Sequence, residues 1–292
     1  MEIKKVCKCF FEKVSLSSLT TFRIGGQADY VCYPTRDELI SLTQLCTKLG
    51  LDYFILGNGS NILALDEGYR GVIISTKGLD KIFHTQNLVR IESGVALGRL
   101  CAFCLVHGLS GLEPLCGIPG TVGGAVVMNA GAFGLEFGDL VESVEYLENG
   151  VITNLKKSQL LFEYRKSFFT NRQNCVILSV VIKLHNSTYH EIYQKMKEYA
   201  QMRMASQNVG YPSAGSVFKK CGSVPTAYLI EACGLKGKMV GGAAVSNVHA
   251  GFIVNTGGAT SFDVISLMNL IKCEVSQKFC LDLEPELVIL GG

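Results

Sequence analysis

Hydrophobic residues recur along this chain with two spacings, one typical of helices and one typical of short buried strands. From Leu39 to Leu49 they follow one another every three or four residues until Gly50, which predicts an amphipathic helix. Thr35 and Glu38 have the spacing of a capping box at its start. We predict further helices at 97–107, 190–205, 225–234 and 261–279. Apolar runs predict strands at 28–33, 53–56, 72–75, 141–147, 151–155 and 175–184.

The stretch from Gly111 to Gly134 interrupts this pattern. It contains seven glycines and two prolines but almost no charge, and its apolar residues distinguish it from a flexible linker. We interpret it as a rigid, buried loop system whose backbone N–H groups suit a phosphate or a flat heterocycle. A glycine-rich turn between two core strands remains the alternative.

A second loop, from Gly57 to Leu63, directly follows a predicted strand. Its glycine, asparagine and serine residues favour a phosphate site, with a polar turn as the alternative. It lacks the Lys-Ser/Thr of a P-loop and the third glycine of the dinucleotide fingerprint. Arg23, beside two glycines, fits either a turn or an anion contact. Arg165, in an aromatic setting, fits either a strand edge or an anion clamp, and His107 reads as a helix cap.

Composition restricts the class of protein. The chain has 292 residues, of which 48% are hydrophobic and 18% charged, with a mean hydropathy of +0.29, so we expect a compact globular protein of two or three domains. A net charge of +2 without a basic block argues against a nucleic-acid partner. The twelve cysteines lack the paired spacing of zinc sites, so we expect no metal. Without a signal peptide or a membrane span, a cytoplasmic location with reduced thiols is expected.

Taken together, the motifs resemble those of the UDP-N-acetylenolpyruvoylglucosamine reductases, flavoenzymes that make UDP-N-acetylmuramate for bacterial peptidoglycan. The resemblance covers nearly the whole chain. It rests on seven motifs in the family's order: Thr21-Phe-Arg-Ile-Gly-Gly26, Leu56-Gly-Asn-Gly-Ser-Asn-Ile62, Gly117-Ile-Pro-Gly-Thr-Val-Gly-Gly124 with Asn129-Ala-Gly-Ala-Phe-Gly134, Tyr164-Arg-Lys-Ser167, Pro212-Ser-Ala-Gly-Ser-Val-Phe218, Gly241-Gly-Ala-Ala-Val-Ser246 with His249, and Leu283-Glu-Pro-Glu286.

The resemblance implies an α+β protein with a vanillyl-alcohol-oxidase-type (PCMH-type) FAD-binding fold in two subdomains, plus a smaller α/β substrate domain. The first subdomain would span residues 1–77, completed by 281–292, and the second 78–205. The substrate domain would span 206–280. The short interval between the arginine and serine motifs resembles the compact second subtype of the family.

The resemblance also implies the reaction. NADPH would reduce a non-covalently bound FAD, and the enolpyruvyl substrate would then receive hydride at C3 and a proton at C2. Arg165 and Glu286 would stabilise the developing charge, and Ser216 would donate the proton. The implied cofactor-binding residues are Arg23, Ile24, Gly25, Gly26, Leu56, Gly57, Asn58, Gly59, Ser60, Asn61, Ile62, Gly117, Ile118, Pro119, Gly120, Thr121, Gly123, Gly124 and Asn129. The implied substrate-binding residues are Tyr164, Arg203, Lys219 and His249.

The chain departs from the family pattern at five positions near these motifs, namely Phe133, Met202, Asn208, Lys220 and Cys221. Two other functions remain as alternatives, an oxidoreductase of the same fold acting on an alcohol or hydroxy acid and a nucleotide-binding regulatory module. No histidine precedes His84, which excludes covalent flavin attachment to a histidine near the first phosphate loop. We expect a monomer that acts on small molecules, without nucleic-acid or membrane partners.

Overall fold

Helices are interspersed with runs of consecutive strands in the computed structural model, which describes residues 2–172, 174–207 and 210–292. The α-helices are α1 (Ile3–Val6), α2 (Arg36–Leu49), α3 (Leu97–Val106), α4 (Val122–Val127), α5 (Phe137–Leu140), α6 (Tyr189–Gln207), α7 (Thr226–Ala232) and α8 (Ser261–Phe279). Short 3₁₀ turns occur at Leu16–Ser18, Thr76–Gly78, Glu113–Leu115 and Lys157–Gln159.

The strands are short and spread over the whole chain. They are β1 (Phe10–Ser15), β2 (Gln27–Cys32), β3 (Tyr53–Leu56), β4 (Ile62–Ala64), β5 (Tyr69–Ser75), β6 (Ile82–Thr85), β7 (Leu88–Glu92), β8 (Leu109–Ser110), β9 (Gly131–Ala132), β10 (Leu135–Glu136), β11 (Val141–Glu148), β12 (Val151–Lys156), β13 (Cys175–Lys183), β14 (His185–Asn186), β15 (Ser213–Ser216), β16 (Met239–Val240), β17 (Ala243–Val245), β18 (Phe252–Asn255) and β19 (Val288–Leu290).

Helix α2 confirms the prediction made from its capping residues and apolar spacing. Glu38 N–H donates to Thr35 Oγ1 at 3.4 Å, and Thr35 N–H donates to Glu38 Oε2 at 2.9 Å, so both bonds of the capping box are present. Gly50 ends the helix in the left-handed region, with φ +63°. Leu39, Leu42 and Cys46 are buried, as their helical spacing requires.

Unit 1, one of two compact units of the chain, contains Met1–Phe11, Tyr30–Asn58 and Gly71–Arg203. Its main sheet is antiparallel, with the strand order β12-β11-β13-β7-β6. Strand β13 is buried almost throughout, because α2 and its neighbours cover one face of the sheet while α3 and α4 cover the other. Unit 1 also contains a parallel pair, in which β3 runs beside β5 with Tyr53 opposite Val72. The predicted phosphate loop, which begins at Gly57, follows the carboxyl end of β3.

Unit 2 contains Glu12–Asp29, Gly59–Arg70 and Met204–Gly292. Its sheet has the strand order β15-β18-β17-β16, and helices α7 and α8 contribute to the same hydrophobic core. Strand β19, at the end of the chain, pairs in parallel with β4, with Val288 opposite Ile62. This pairing brings the last predicted motif beside the Asn61 end of the first phosphate loop.

The glycine-rich stretch contains more regular structure than predicted, including the 3₁₀ turn Glu113–Leu115 and strand β9. We expected a loop system throughout 111–134, but Val122–Val127 forms helix α4, capped by Thr121. The structure divides into two compact units, and the division into three domains stays a prediction. Among the described helices, none is both long and apolar enough to cross a membrane.

Candidate active site

The start of the predicted phosphate loop, at Gly57 and Asn58, contacts the glycine-rich segment 117–124 within unit 1. Asn58 Nδ2 donates to Pro119 O at 2.9 Å. A Cβ added to Gly57 would lie 2.4 Å from Thr121 Oγ1, so only glycine fits there without moving the threonine. Leu56, the last residue of β3, is buried and anchors the loop. The structure therefore brings together two segments that are predicted to bind the cofactor and that lie far apart in the sequence.

Hydrogen bonds to the segment before α3 hold the second glycine-rich segment in place. Gly120 O accepts from Leu97 N–H at 3.0 Å, and Gly123 N–H donates to Ser93 O at 2.8 Å. A Cβ on Gly123 would lie 2.9 Å from Ser93 Cβ. Because its N–H already serves the fold, Gly123 contributes close backbone packing rather than a free donor.

Thr121, in the same segment, also caps helix α4. Its Oγ1 accepts from Gly124 N–H at 3.4 Å and so caps the start of α4. The side chain that limits the size of residue 57 is therefore also the helix cap. Displacing it would disturb both loops.

Arg165 lies in a tight turn with a left-handed backbone, φ +55°. Glu163 and Lys166 exchange backbone hydrogen bonds of 3.0 and 3.1 Å across this turn. The Arg165 guanidinium donates to Gly131 O at 3.1 Å and lies 4.9 Å from the centroid of the Tyr164 ring. A left-handed arginine costs of order 1–3 kcal/mol, and such strain persists where surrounding contacts determine the conformation.

Asn129 holds the loops around Arg165 together. Its Nδ2 donates to Glu136 Oε2 at 2.7 Å and to Glu163 O at 2.9 Å, and its Oδ1 accepts from Gly138 N–H at 2.9 Å. Both amide hydrogens are thus used within the protein, and the residue is 1% exposed. A direct contact of Asn129 with a cofactor would have to come from its backbone.

Arg203, near the end of α6, lies next to Gly117, in the loop that follows the 3₁₀ turn Glu113–Leu115. Its guanidinium is 5.3 Å from the centroid of the Phe133 ring, which in turn packs against Tyr199 at 5.2 Å. Gly117 has φ +91°, and a Cβ there would lie 3.1 Å from Arg203 Nε. Burial lowers the pKa of Arg203 from its usual value. Phe133 therefore supplies an aromatic face for the predicted substrate-binding arginine.

The turn containing Arg23 belongs to unit 2. Arg23 has φ +57°, and Asn255 Nδ2 donates to the backbone oxygens of Phe22 and Arg23 at 3.2 and 3.3 Å. A Cβ on Gly25 would lie 2.5 Å from Ala64 Cβ, and one on Gly26 would lie 2.1 Å from a backbone oxygen. Both glycines are therefore required by packing, and Ile24 between them and Arg23 is buried.

The structure brings Ser216, Glu286 and Asn61 to neighbouring segments of unit 2. Ser216 ends β15, next to Gly215 with φ +78° and an irregularity in the pairing with β18. Glu286 N–H donates to Val217 O at 2.8 Å, and Asn61 Nδ2 donates to Glu286 O at 2.9 Å. Two of the three predicted catalytic residues thus lie on adjacent backbone segments. Arg165 lies in unit 1.

Lys219 continues the contact between these two segments. Its N–H donates to Glu284 O at 2.9 Å, and its ammonium forms an ion pair with the Glu284 carboxylate. The carboxylate is 71% exposed, and an exposed ion pair contributes only about 0–1 kcal/mol. The Lys219 ammonium can therefore exchange this partner for an anionic ligand at little cost.

His249 is half-buried, and a backbone hydrogen bond orients its ring. Its Nδ1 accepts from Gly251 N–H at 3.2 Å, which leaves Nε2–H as a donor. Burial lowers the pKa of His249, and its ring packs edge-on against Phe252, 4.8 Å between centroids. Phe252 pairs with Ser216 across β15 and β18, so His249 lies near the predicted proton donor.

The other predicted site residues have simple placements. Gly59, with φ +62°, accepts at its oxygen from Thr21 N–H at 3.3 Å, and Ile62 is buried in β4. Ser60 and Ile118 are half-buried. Of the five departures from the family pattern, Met202 and Lys220 are exposed, Cys221 is half-buried and Phe133 is described above, while Asn208 lies outside the described residues.

Sequence reasoning missed two residues that shape the site. Asn255 ends β18 and holds the Arg23 turn from more than two hundred residues away, and only its position between a buried strand and two glycines hinted at a structural role. Ser93 lies under Gly123. Its Oγ is buried without a hydrogen-bond partner among the described residues.

These features fit a flavin dinucleotide on unit 1. The segments at 57–58 and 119–121 lie against each other, and the buried Ser93 Oγ beneath Gly123 has no hydrogen-bond partner among the described residues. Backbone-rich, uncharged loops suit a pyrophosphate and a planar ring. The residues present are thus compatible with the cofactor that the resemblance implies.

Comparisons with known proteins agree with this geometry. Residues 28–155 match the family model described as an FAD binding domain, and residues 207–290 match that of the UDP-N-acetylenolpyruvoylglucosamine reductase C-terminal domain. The UDP-N-acetylenolpyruvoylglucosamine reductase of Caldanaerobacter subterraneus subsp. tengcongensis is 43% identical over 274 residues, 93% of this chain and 90% of the relative. That of Carboxydothermus hydrogenoformans is 41% identical over 291 residues, 99% of this chain and 96% of the relative.

A solved structure is also similar. The crystal structure of UDP-N-acetylenolpyruvylglucosamine reductase from Thermus caldophilus superimposes with a TM-score of 0.82 at 34% identity, covering 96% of this chain and 98% of that one. The α+β class and the FAD-binding fold are thereby confirmed.

Proposed function

This chain belongs to the UDP-N-acetylenolpyruvoylglucosamine reductase family, and on that premise we propose which of its residues carry out the reaction. The reaction is the NADPH-dependent reduction of UDP-N-acetylenolpyruvoylglucosamine to UDP-N-acetylmuramate, in peptidoglycan precursor synthesis. FAD, when bound, carries two electrons from NADPH to the substrate.

The observation that carries the proposal is the contact between Gly57–Asn58 and Pro119–Thr121 in unit 1. These segments hold the cofactor through backbone groups, with Gly117, Ile118, Gly120, Gly123 and Gly124 shaping the surface. In unit 2, the Arg23–Gly26 turn and Gly59–Ile62 are assigned to the same cofactor. The contacts described for each unit support these assignments.

Arg165 is the residue assigned to the substrate carboxylate. The Gly131 carbonyl and the Tyr164 ring orient its guanidinium group. The guanidinium can therefore stabilise a developing enolate without changing its position. A guanidinium remains cationic at any physiological pH and matches a carboxylate with two parallel hydrogen bonds.

Ser216 delivers the proton to C2, and Glu286 acts beside it. A serine hydroxyl is a weak acid, so its neighbours must stabilise the proton's departure. Glu286 lies on the segment hydrogen-bonded to the residue after Ser216, which supports a shared task. Tyr164, Arg203, Lys219 and His249 are assigned to the rest of the substrate, with the cationic pair meeting its phosphates.

Turnover by the purified, flavin-loaded protein tests the proposed function. Oxidation of NADPH should require UDP-N-acetylenolpyruvoylglucosamine, and the product should be heavier than the substrate by two hydrogens. Consumption of NADPH without that mass change would point to another acceptor.

We also propose that the protein works as a cytoplasmic monomer on small molecules alone. Each of its twelve cysteines is a free thiol, which suits a reducing compartment. Light scattering should give a mass near the chain's 31.7 kDa. Twice that mass would overturn the monomer.

The flavin should be held without a covalent bond. The reason is that Gly57–Asn61 offers backbone groups rather than a nucleophilic side chain, and no histidine precedes His84. Acid precipitation should release the yellow colour into the supernatant. Colour retained in the pellet would show covalent attachment.

Gly57→Ala should weaken flavin binding by about tenfold or more, or about 1.4 kcal/mol, while the protein still folds. The new Cβ would lie 2.4 Å from Thr121 Oγ1, so the threonine must move and release its cap on α4. Flavin dissociation constants, measured by fluorescence titration of the apoprotein, test this. Gly98→Ala is the matched control, because nothing lies within 4 Å of its added Cβ. Equal affinities in the two variants would refute the role of Gly57.

A further inference from the structure

The hairpin formed by β9 and β10 carries an aromatic side chain at its tip, in a backbone conformation that disfavours one. Ala132 pairs with Leu135 across the hairpin, so Phe133 and Gly134 form its two-residue turn. Both have left-handed φ angles, +50° for Phe133 and +84° for Gly134. A turn with two positive φ angles favours asparagine or glycine at its first position, because a bulky side chain is strained there.

Two side chains of α6 contact the ring at this strained position. Tyr199 packs against Phe133 with 5.2 Å between ring centroids and 35° between ring planes. Arg203, four residues further along α6, places its guanidinium carbon 5.3 Å from the centroid of the same ring. Residues four apart lie on one face of a helix, so a single ring can contact both. Strain of this kind persists where surrounding contacts determine the conformation, and it is concentrated at ligand sites.

The Gly117 loop contacts the same arginine. A Cβ added to Gly117 would lie 3.1 Å from Arg203 Nε and 3.2 Å from its Cδ. The loop therefore lies against the stem of Arg203, while the Phe133 ring lies against its guanidinium. A side chain that is already held in one orientation loses less conformational freedom when it binds a ligand.

We propose that Phe133 is a positioning residue for the reduction, which holds the Arg203 guanidinium in place for the phosphates of the UDP-sugar substrate. This inference rests on the substrate role assigned to Arg203 in the proposed function. An aromatic face attracts a guanidinium without using an N–H donor. The donors of a guanidinium lie in its plane, where they match phosphate oxygens. The contact with Arg203 thus gives a physical reason for a bulky ring at a turn position that favours asparagine.

Phe133→Asn should weaken binding of UDP-N-acetylenolpyruvoylglucosamine to the flavin-loaded protein by about three- to tenfold, the loss expected for one cation–π contact. Titration of the flavin absorbance with substrate, without NADPH, measures this dissociation constant. The thermal midpoint should fall by no more than about 3 °C, because asparagine adopts the left-handed conformation readily and offsets the lost ring contacts. A larger fall in the midpoint, combined with the parent's affinity for substrate, would assign the ring to folding alone.

The position of the guanidinium can be measured without substrate. In the flavin-loaded protein labelled with ¹⁵N-arginine, the Nε–H signal of Arg203 is the one that Arg203→Gln removes. Phe133→Asn should shift this signal, because the ring current is lost, whereas Phe133→Tyr should leave it and the substrate affinity near their parent values. A signal that Phe133→Asn does not move would overturn the proposal.

Tyr193→Asn is the matched control. Tyr193 also lies on α6 and stacks on a neighbouring ring, that of Tyr189, at 6.1 Å between centroids. Both rings are exposed, and Arg203 contacts Phe133 rather than this pair. The control should therefore keep the parent's Arg203 signal and substrate affinity. Changes as large as those of Phe133→Asn would show that the effect is not specific to the hairpin tip, contrary to the proposal.

A double-mutant cycle separates positioning from direct contact with the substrate. If the ring acts through Arg203, adding Phe133→Asn to Arg203→Gln should weaken substrate binding by less than about 1.5-fold. A further loss as large as that of Phe133→Asn alone would show that the ring itself contacts the substrate, which contradicts a positioning role. If Phe133→Asn moves the Arg203 signal but neither single variant changes substrate affinity, the substrate role assigned to Arg203 fails, while the positioning of its guanidinium by Phe133 stands.

Discussion

Ser216→Ala should slow reoxidation of the reduced flavin by substrate roughly 10²–10⁴-fold, the usual range for a positioned general acid. Bleaching of the flavin by NADPH should proceed at close to the parent rate, because that half-reaction needs no proton at substrate C2. Rapid mixing of the variant first with NADPH and then with the enolpyruvyl substrate measures the two steps separately.

Ser213→Ala is the matched control for this experiment. Ser213 begins the same strand, β15, and pairs with Val254 rather than lying beside the Glu286 segment. Both half-reactions of this control should stay within about twofold of the parent. If Ser216→Ala slows both half-reactions equally, Ser216 shapes the cofactor site instead. If it slows neither, the proton comes from another group.

Arg165→Lys should lower turnover by about 10²–10³, equivalent to roughly 3–4 kcal/mol of transition-state stabilisation. Lysine keeps the charge but lacks the planar fork that contacts the Gly131 carbonyl and can still bind a carboxylate with two donors. Steady-state kinetics measure the loss, and the flavin content of the purified variant should equal that of the parent.

Arg172→Lys provides the corresponding control. Arg172 also belongs to unit 1 and lies 3.9 Å from the centroid of the Phe168 ring, but its ion pair with Glu148 is partly exposed. An exposed pair contributes little, so turnover should change by less than about twofold. Similar kinetics for the Arg165 and Arg172 variants would return Arg165 to the class of surface arginines.

The sequence predicts best those elements whose signals are local. Helix α2 follows from Thr35, Glu38, the apolar spacing and Gly50, all within one stretch, and α8 likewise carries its own capping box at Thr260. Helix α4 was missed, because two glycines in its first turn disfavour a helix. What offsets the glycines is the local cap of Thr121 together with tertiary backbone hydrogen bonds to the segment before α3.

The candidate site shows the same limit. Nothing local to Asn255 indicates that its amide holds the Arg23 turn, since the two lie at opposite ends of the chain. The roles of Arg165, Ser216 and Glu286 came from family resemblance, because no periodicity connects residues so far apart. The structure adds that Glu286 and Ser216 lie on hydrogen-bonded neighbouring segments.

The central claim is that this chain passes electrons from NADPH through FAD to the enolpyruvyl substrate. Its most direct test is the flavin absorbance of the purified protein under anaerobic conditions. One equivalent of NADPH should bleach the flavin, and one equivalent of UDP-N-acetylenolpyruvoylglucosamine should then restore the oxidised spectrum, with UDP-N-acetylmuramate as the product. A flavin that NADPH leaves oxidised, or one that stays bleached when the substrate is added, would contradict the account.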